Sequence, residues 1–532
     1  MQKSLSVQNS NEIILQNRVL VDVTINPMSQ KHYIELDPPS LLNNQADVDR
    51  LIAALTDRYH NLTVPLDLMN KVSEALRQAA WRVTVTVANF GGNWQMIDIE
   101  PGDKTDRHFG LAVDLGTTTV VGYLVDLTSG KILGSAADYN EQVRYGEDIL
   151  TRIYLACTPE GRKQLQDAVV NTLNNIINRL VRELKIKNLE ISAVTVGANT
   201  TMVHLLLGLD PSRICMEPYI PVVNLPGCVN ASEPGLAVNP KAPLYCLPGV
   251  GSYVGGDIIG GILASGIYKK PELALFIDIG TNGEMVLGNS EWLAACAGAA
   301  GPALEGGVAH DGMRAEPGAV YQVRIDAETG KVVYRTIGGQ KAAGICGSGL
   351  VDCLAELLMA GIIDRAGKFR DAEKEFVVVP ASESATGKDI TFTQTDIDNI
   401  MRTKSAVITA LEVLLEDVGC KWADIKTFYA AGAFGQYLDL ESAITIGLYP
   451  DLPRERMIRL GNSSGEGARL VLISDDSRLE AEKIARSITY FELNASEVFM
   501  NKFVGSKFLP HTNLDYYPTV KEKMLRRGLL RD

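Results

Sequence analysis

The 532-residue sequence lacks what a membrane span, a secreted disulfide scaffold or a nucleic-acid binder needs. No apolar run approaches the ~18 residues of a spanning helix; the longest, such as residues 273–279, have strand length. The N-terminus has no basic start followed by an apolar stretch, so no signal peptide is expected. Acidic residues outnumber basic ones by 64 to 51, for a net charge of −13, which excludes a general phosphate-neutralising surface. The eight cysteines (157, 215, 228, 246, 296, 346, 353 and 420) form no C-x-x-C pair. That scatter reads as reduced, mostly buried thiols in a cytoplasmic protein. No C-x₄-C-x₂-C run for an iron–sulfur cluster is present, and nothing before Cys157 is cysteine. Nor is there a G-x-x-x-x-G-K-[ST] phosphate loop, and the six histidines show no metal spacing.

What is present is an ordinary apolar fraction of 46%, enough for a large core, and 48 glycines gathered in short motifs. Residues 1–27 read as a linker. Residues 28–106 read as a small α+β domain. Strands are expected at 31–36, 81–88 and 94–99, and helices around Leu51 and from about Pro65. Ser40 or Asn44 would cap the first of these helices. Residues 107–532 change character. A strand at 109–113 runs into Asp114-Leu115-Gly116-Thr117-Thr118-Thr119 and opens a β-meander. A helix at 146–156, a long amphipathic helix at 164–186 and a strand at 191–196 follow. The order recurs. A strand at 273–277 enters Asp278-Ile279-Gly280-Thr281-Asn282-Gly283-Glu284. A meander, a helix at 397–418 with Thr395 and Asp398 as capping box, and a strand entering Ala431-Gly432-Ala433-Phe434-Gly435 come after it. This is a duplicated topology, with a first half at about 109–210 and a second at about 273–500. Two such halves facing each other would leave a cleft with one D-x-G-T loop on each wall.

The loops suit a nucleotide. Glycine permits the tight turn and removes the side chain between backbone and ligand. The freed N–H groups and threonine hydroxyls hold phosphate oxygens. The leading aspartate is a hard oxygen ligand for Mg²⁺ or its water. A lone D-x-G-T would read as a structural hairpin; two, each leaving an apolar strand, do not. Gly432, Ala433, Phe434 and Gly435, and then Gly461-Asn462-Ser463-Ser464, place small residues where a planar base lies close to backbone and polar ones where a ribose is bonded. Ser463 or Ser464 would cap the helix that follows. The glycines at 249, 251, 255, 256, 260, 261 and 266 miss the dinucleotide fingerprint by one residue and read as a small-residue helix packed tightly on a neighbour.

These motifs resemble the phosphate 1, phosphate 2 and adenosine motifs of the acetate and sugar kinase, Hsc70 and actin superfamily. YIELDPPSL, VDLGTTTV, RYGEDILTRI, VGANTTMVHLLLG, DIGTNGEM, GICGSGLVD and AGAFGQYLD together resemble the reductive activators of corrinoid proteins, from about residue 28 to the end. The resemblance implies a duplicated ribonuclease H-like, actin-like ATPase domain preceded by a small α+β middle domain. It implies ATP and Mg²⁺ as cofactors. Thr117, Thr118, Thr119, Gly280, Thr281 and Asn282 would hold phosphates, with Gly116, Gly283 and Glu284 beside them, and Asp114 and Asp278 would position the metal and the attacking water. It further implies that ATP drives the return of a Co(II) corrinoid to Co(I). The partner would be a corrinoid/iron–sulfur protein or a corrinoid methyltransferase subunit, supplied by a low-potential electron donor. A homodimer is implied too. Such activators carry a [2Fe–2S] cluster on an N-terminal ferredoxin domain, absent from these 532 residues, so residues 1–27 would be the remnant of an inter-domain linker. Two other readings of the fold stay open: a small-molecule kinase, and a chaperone-like ATPase whose nucleotide state switches partner binding.

Overall fold

A computed structural model describes residues 21–532 apart from 281–282, 299–300, 327–328, 372–373, 433–437, 494–496 and 531–532. The chain divides into two compact units. One holds residues up to Gly266 together with Asn462–Ser487, the other Ile267–Gly461 with Ile488–Asp532.

The first unit begins with β1 (Ser29–Glu35), β2 (Arg82–Phe90) and β3 (Asn93–Pro101), an antiparallel sheet in that order. Helices Asp47–Leu55 and Leu66–Gln78 cover it, and Leu51, Val72, Leu76, Val83, Val85 and Met96 form its core. The first of these helices starts after Ala46 with no side-chain cap, so neither Ser40 nor Asn44 caps it. They stand too far upstream, and Ser40 is spent on a turn with Asn43. The small domain is not free-standing. Ser29 Oγ meets Ser192 Oγ at 2.6 Å and His108 Nε2 at 2.9 Å, all buried.

The larger sheet of this unit contains β4 (Phe109–Leu115), β5 (Thr119–Asp126), β6 (Ile132–Tyr139), β7 (Ile191–Ala198), β8 (Cys228–Asn230) and β9 (Pro243–Cys246). Its order is β6-β5-β4-β7-β9-β8, antiparallel through the meander and parallel from β4 to β7 to β9. The connection from β6 to β7 runs through helix Ile149–Ala156 and the amphipathic helix Pro159–Leu184. Proline stands at the first turn of the latter, and Leu165, Val169, Leu173, Ile176 and Leu180 are buried.

The second unit repeats this pattern with β10 (Ala274–Ile279), β11 (Gly283–Gly288) and β12 (Leu293–Gly298). Strands β13 (Ala319–Ile325) to β17 (Ile390–Thr393) form two small side sheets with β14 (Val332–Thr336), β15 (Gly344–Ile345) and β16 (Glu375–Val379). The main sheet is completed by β18 (Thr427–Ala431), β19 (Met457–Gly461) and β20 (Ile488–Phe491). Its order, β20-β12-β11-β10-β18-β19, matches β6-β5-β4-β7-β9 strand for strand once β20 is set aside as an added edge. The duplication expected from sequence is therefore a duplication of sheet topology. In each copy the D-x-G-T loop leaves the central strand where its neighbours change from antiparallel to parallel, the switch point at which open α/β sheets bind ligands.

Two further capping assignments differ from expectation. Helix Gln394–Asp417 is capped by Thr393 with Asp396, not by Thr395 with Asp398. The T-x-x-D spacing occurs twice there. The earlier copy prevails because β17 ends at Thr393, while Asp398 is taken by Lys368 and Gln394. Helix Ser463–Ile473 is capped by Asn462, whose oxygen accepts from Gly465 N at 2.8 Å, and by neither serine. Residues 462–487 also lie with the first unit. The reason is steric: a Cβ on Gly467 would sit 2.1 Å from Gly260 Cα, so this helix and Gly256–Ser265 meet backbone to backbone. The glycine-rich stretch is the tightly packed helix that the sequence suggested from Gly256 on, while Gly249, Gly251 and Gly255 stand in the loop before it.

Candidate functional site

The first loop is built by a turn that only glycine allows. Gly116 N donates to Thr119 O at 3.1 Å, and a Cβ on Gly116 would fall 2.5 Å from that oxygen. Two asparagines brace it. Asn140, fully buried, donates from Nδ2 to Gly116 O at 3.1 Å, and its backbone N donates to Thr118 O at 2.9 Å. Asn199 caps helix Thr200–Leu207 and donates from Nδ2 to Thr117 Oγ1 at 3.1 Å. Thr117 is thereby buried, Thr118 half-buried and Thr119 exposed.

Asp114, the sixth residue of β4, faces Val121 of β5 and Gly197 of β7. Its Oδ2 accepts from Asn462 Nδ2 at 2.9 Å. Burial pushes its carboxyl up to about 6, and the hydrogen bond from Asn462 offsets this in part. Asp257, in the first turn of helix Gly256–Ser265, is raised as well, by burial and then by the charge of Asp114. Two carboxyls whose charges burial penalises form an environment that a cation relieves. The Ser463 hydroxyl is buried with no hydrogen-bond partner among the described residues.

In the second unit Asp278 occupies the equivalent place on β10, opposite Glu284 of β11 and Ala431 of β18. Gly432 has φ +91°, and a Cβ there would lie 2.5 Å from Asp278 Oδ1 and 2.9 Å from Ile279 O. Its N donates to Gly461 O at 3.1 Å, which ties the start of the adenosine-type motif to the end of β19. Gly280 differs from Gly116: among the described residues a Cβ on it would meet nothing within 4 Å, and its φ is not in the left-handed region. Gly283 and Glu284 are buried in β11. Thr281, Asn282, Ala433, Phe434 and Gly435 lie outside the described residues.

The structure thus gathers Gly116, Thr117, Thr118, Thr119, Asp114, Asn462 and Ser463 in the first unit, and Asp278, Gly280, Gly283, Glu284, Gly432 and Gly461 in the second. Sequence reasoning missed Asn140, Asn199, Tyr123 and Asp257. Asn199 was findable, since it follows a strand and precedes a helix in GANTTM; the others carry no local signal.

The donor set fits Mg²⁺ and not an iron–sulfur cluster. Among the described residues no three His, Cys, Asp or Glu side chains converge as a metal cage. One or two carboxylates completed by substrate phosphates is the arrangement Mg²⁺ takes. All eight cysteines are unpaired thiols, and burial raises those at 246, 296 and 353.

Comparison with known proteins agrees with the sheet topology. The models described as the RACo linker region, the RACo middle region and the C-terminal domain of RACo, the ASKHA domain, match residues 20–106, 109–270 and 272–521. The corrinoid activation enzyme RamQ of Eubacterium limosum is 33% identical over 430 residues, 77% of this chain and 72% of that protein. The chain belongs to the family of reductive activators of corrinoid proteins. A solved reductive activator for corrinoid, iron–sulfur protein superposes with a TM-score of 0.87 at 41% identity, covering 97% of this chain and 85% of that one. The [Co(II) methylated amine-specific corrinoid protein] reductase of Methanosarcina barkeri is 24% identical over 428 residues, 74% of this chain and 76% of its own. In the family's terms the small α+β domain falls in the linker region, and the first meander in the middle region.

Proposed function

We propose that this activator hydrolyses ATP to drive the return of a partner's corrinoid cobalt from Co(II) to Co(I). The observation that carries the reading is the pair of D-x-G-T loops at matching places on two sheets of the same topology, in a chain of this family. Thr117, Thr118, Thr119, Gly280, Thr281 and Asn282 hold the phosphates. Gly432 to Gly435, with Gly461 and Ser463, lie along the nucleoside. Asp114 and Asp278 would hold Mg²⁺ and orient the attacking water, and the metal would supply neutralisation of phosphate charge. With no strong base to spare, catalysis rests on positioning and charge stabilisation. ATP changes the affinity for the corrinoid protein only if that partner prefers one nucleotide state.

A [2Fe–2S] cluster would be held by a ferredoxin domain rather than by these residues, and would supply the electron from a low-potential donor. The cysteines of this chain do not fit a cluster, so no electron step is assigned to them. The activator works as a cytoplasmic homodimer. Alanine at Asp114 or Asp278 is expected to abolish ATP hydrolysis and leave the fold intact. Wild-type hydrolysis by both variants would overturn the assignment.

A further inference from the structure

The carboxamide of Asn462 offers two N–H donors and one oxygen. Its nitrogen donates to Asp114 Oδ2 at 2.9 Å and to the Tyr123 hydroxyl at 3.1 Å. Its oxygen accepts from Gly465 N at 2.8 Å and caps the helix Ser463–Ile473. Both donors are engaged inside the protein, so a ribose hydroxyl could meet only the oxygen's second lone pair. We propose that Asn462 is a positioning residue that orients the Asp114 carboxylate, and is not a nucleotide ligand. The inference rests on the ATP-hydrolysis reading above.

Three elements converge on this side chain. Asp114 sits near the end of β4, where Asn462 gives its Oδ2 a fixed hydrogen-bond donor. Tyr123 of β5 pairs with Ala112, two residues from Asp114 and so on the same face of the sheet. Its ring lies against the first turn of the helix: a Cβ on Gly465 would fall 2.6 Å from Tyr123 Cε2. On the other side, a Cβ on Gly197 of β7 would fall 2.6 Å from Ser464 Oγ. The turn is thus seated against β5 and β7 with no slack. Asn462 transmits that fixed position to the carboxylate through one hydrogen bond. Groups that orient a metal-binding carboxylate typically cost ~10–100-fold in activity or metal affinity when removed.

Asn462→Ser is the informative variant, because serine retains the helix cap while replacing the two N–H donors with a single O–H on a shorter side chain. The expected result is a kcat for ATP hydrolysis lowered ~10–100-fold. The Mg²⁺ concentration for half-activation rises, while the KM for ATP and the preference for ATP over 2′-deoxy-ATP stay at wild-type values. The melting temperature should hold. Tyr123→Phe should shift kcat the same way, by less. Asp114→Asn combined with Asn462→Ser should be no slower than Asp114→Asn alone, since both act through one group. A raised KM together with loss of the 2′-deoxy discrimination would make Asn462 a ribose ligand and overturn the proposal. Inactive Asp114→Asn beside fully active Asn462→Ser would overturn it alone. Fully active Asp114→Asn would overturn the ATPase assignment itself.

Discussion

Asp114 pays for its position in stability. Burial raises its folded pKa to about 6 from an ordinary 3.8, so between those values the folded chain binds the extra proton. Stability from this group is full below about 4 and is lost as pH rises through 6. Asp114→Asn should therefore raise the melting temperature of the nucleotide-free protein at pH 7, by a free energy on the order of 1–3 kcal/mol. The gain should vanish below pH 4. Scanning calorimetry at the two pH values checks this; a destabilised variant at pH 7 would contradict it. Gly432 is constrained twice, by its left-handed φ and by Asp278 Oδ1. Gly432→Ala must move either the loop or the carboxylate, and is expected to lower ATP hydrolysis at least ~10-fold, read in a steady-state assay.

Helix contacts decide the next scale. Where Gly467 meets Gly260, an added methyl has only backbone to push against. Gly467→Ala should part the two helices and cost about 1–3 kcal/mol, seen as a lower urea midpoint. Helix Gln394–Asp417 holds the C-terminal segment by polar rungs. Lys404 Nζ donates to Phe508 O at 2.7 Å and Pro510 O at 2.5 Å, and Thr409 Oγ1 donates to Ser506 Oγ at 2.9 Å. Burial pushes the Lys404 ammonium down to about 7. Between pH 7 and the unfolded value of 10.5 the unfolded chain holds a proton that the folded chain lacks, so stability from this group rises with pH across that window. Lys404→Met should flatten the rise, as measured by unfolding at pH 7 and 9.

At the scale of the whole molecule, the proposed separation of ATP chemistry from electron carriage can be tested. The purified chain should be colourless. With ATP, a low-potential reductant and a Co(II) corrinoid protein, the Co(II) spectrum should persist or convert slowly. Joining a [2Fe–2S] domain ahead of Met1 should restore conversion to Co(I). Fast conversion by the chain alone would show that a cluster is not the obligatory route.

Local chemistry determined much of this protein. Strand-sized apolar runs ending in D-x-G-T, at Asp114 and Asp278, announced a repeated strand–turn–strand unit, because hydrophobic period and glycine punctuation are properties of neighbouring residues. The long amphipathic helix expected at 164–186 was legible for the same reason, although it starts at Pro159 and ends at Leu184. Tertiary structure alone decided which residues meet across sequence. Asn462 lies 348 positions from Asp114, and nothing in GNSSGEG says that its amide faces a carboxylate rather than a sugar. The cap fell to Asn462 rather than Ser463 because β19 ends one residue earlier. Asp257 looked like one polar residue in a glycine-rich helix until the fold buried it within reach of Asp114's charge. Burial and long-range partners set the charge state and direction of a side chain, and both are properties of the folded chain, not of its local order.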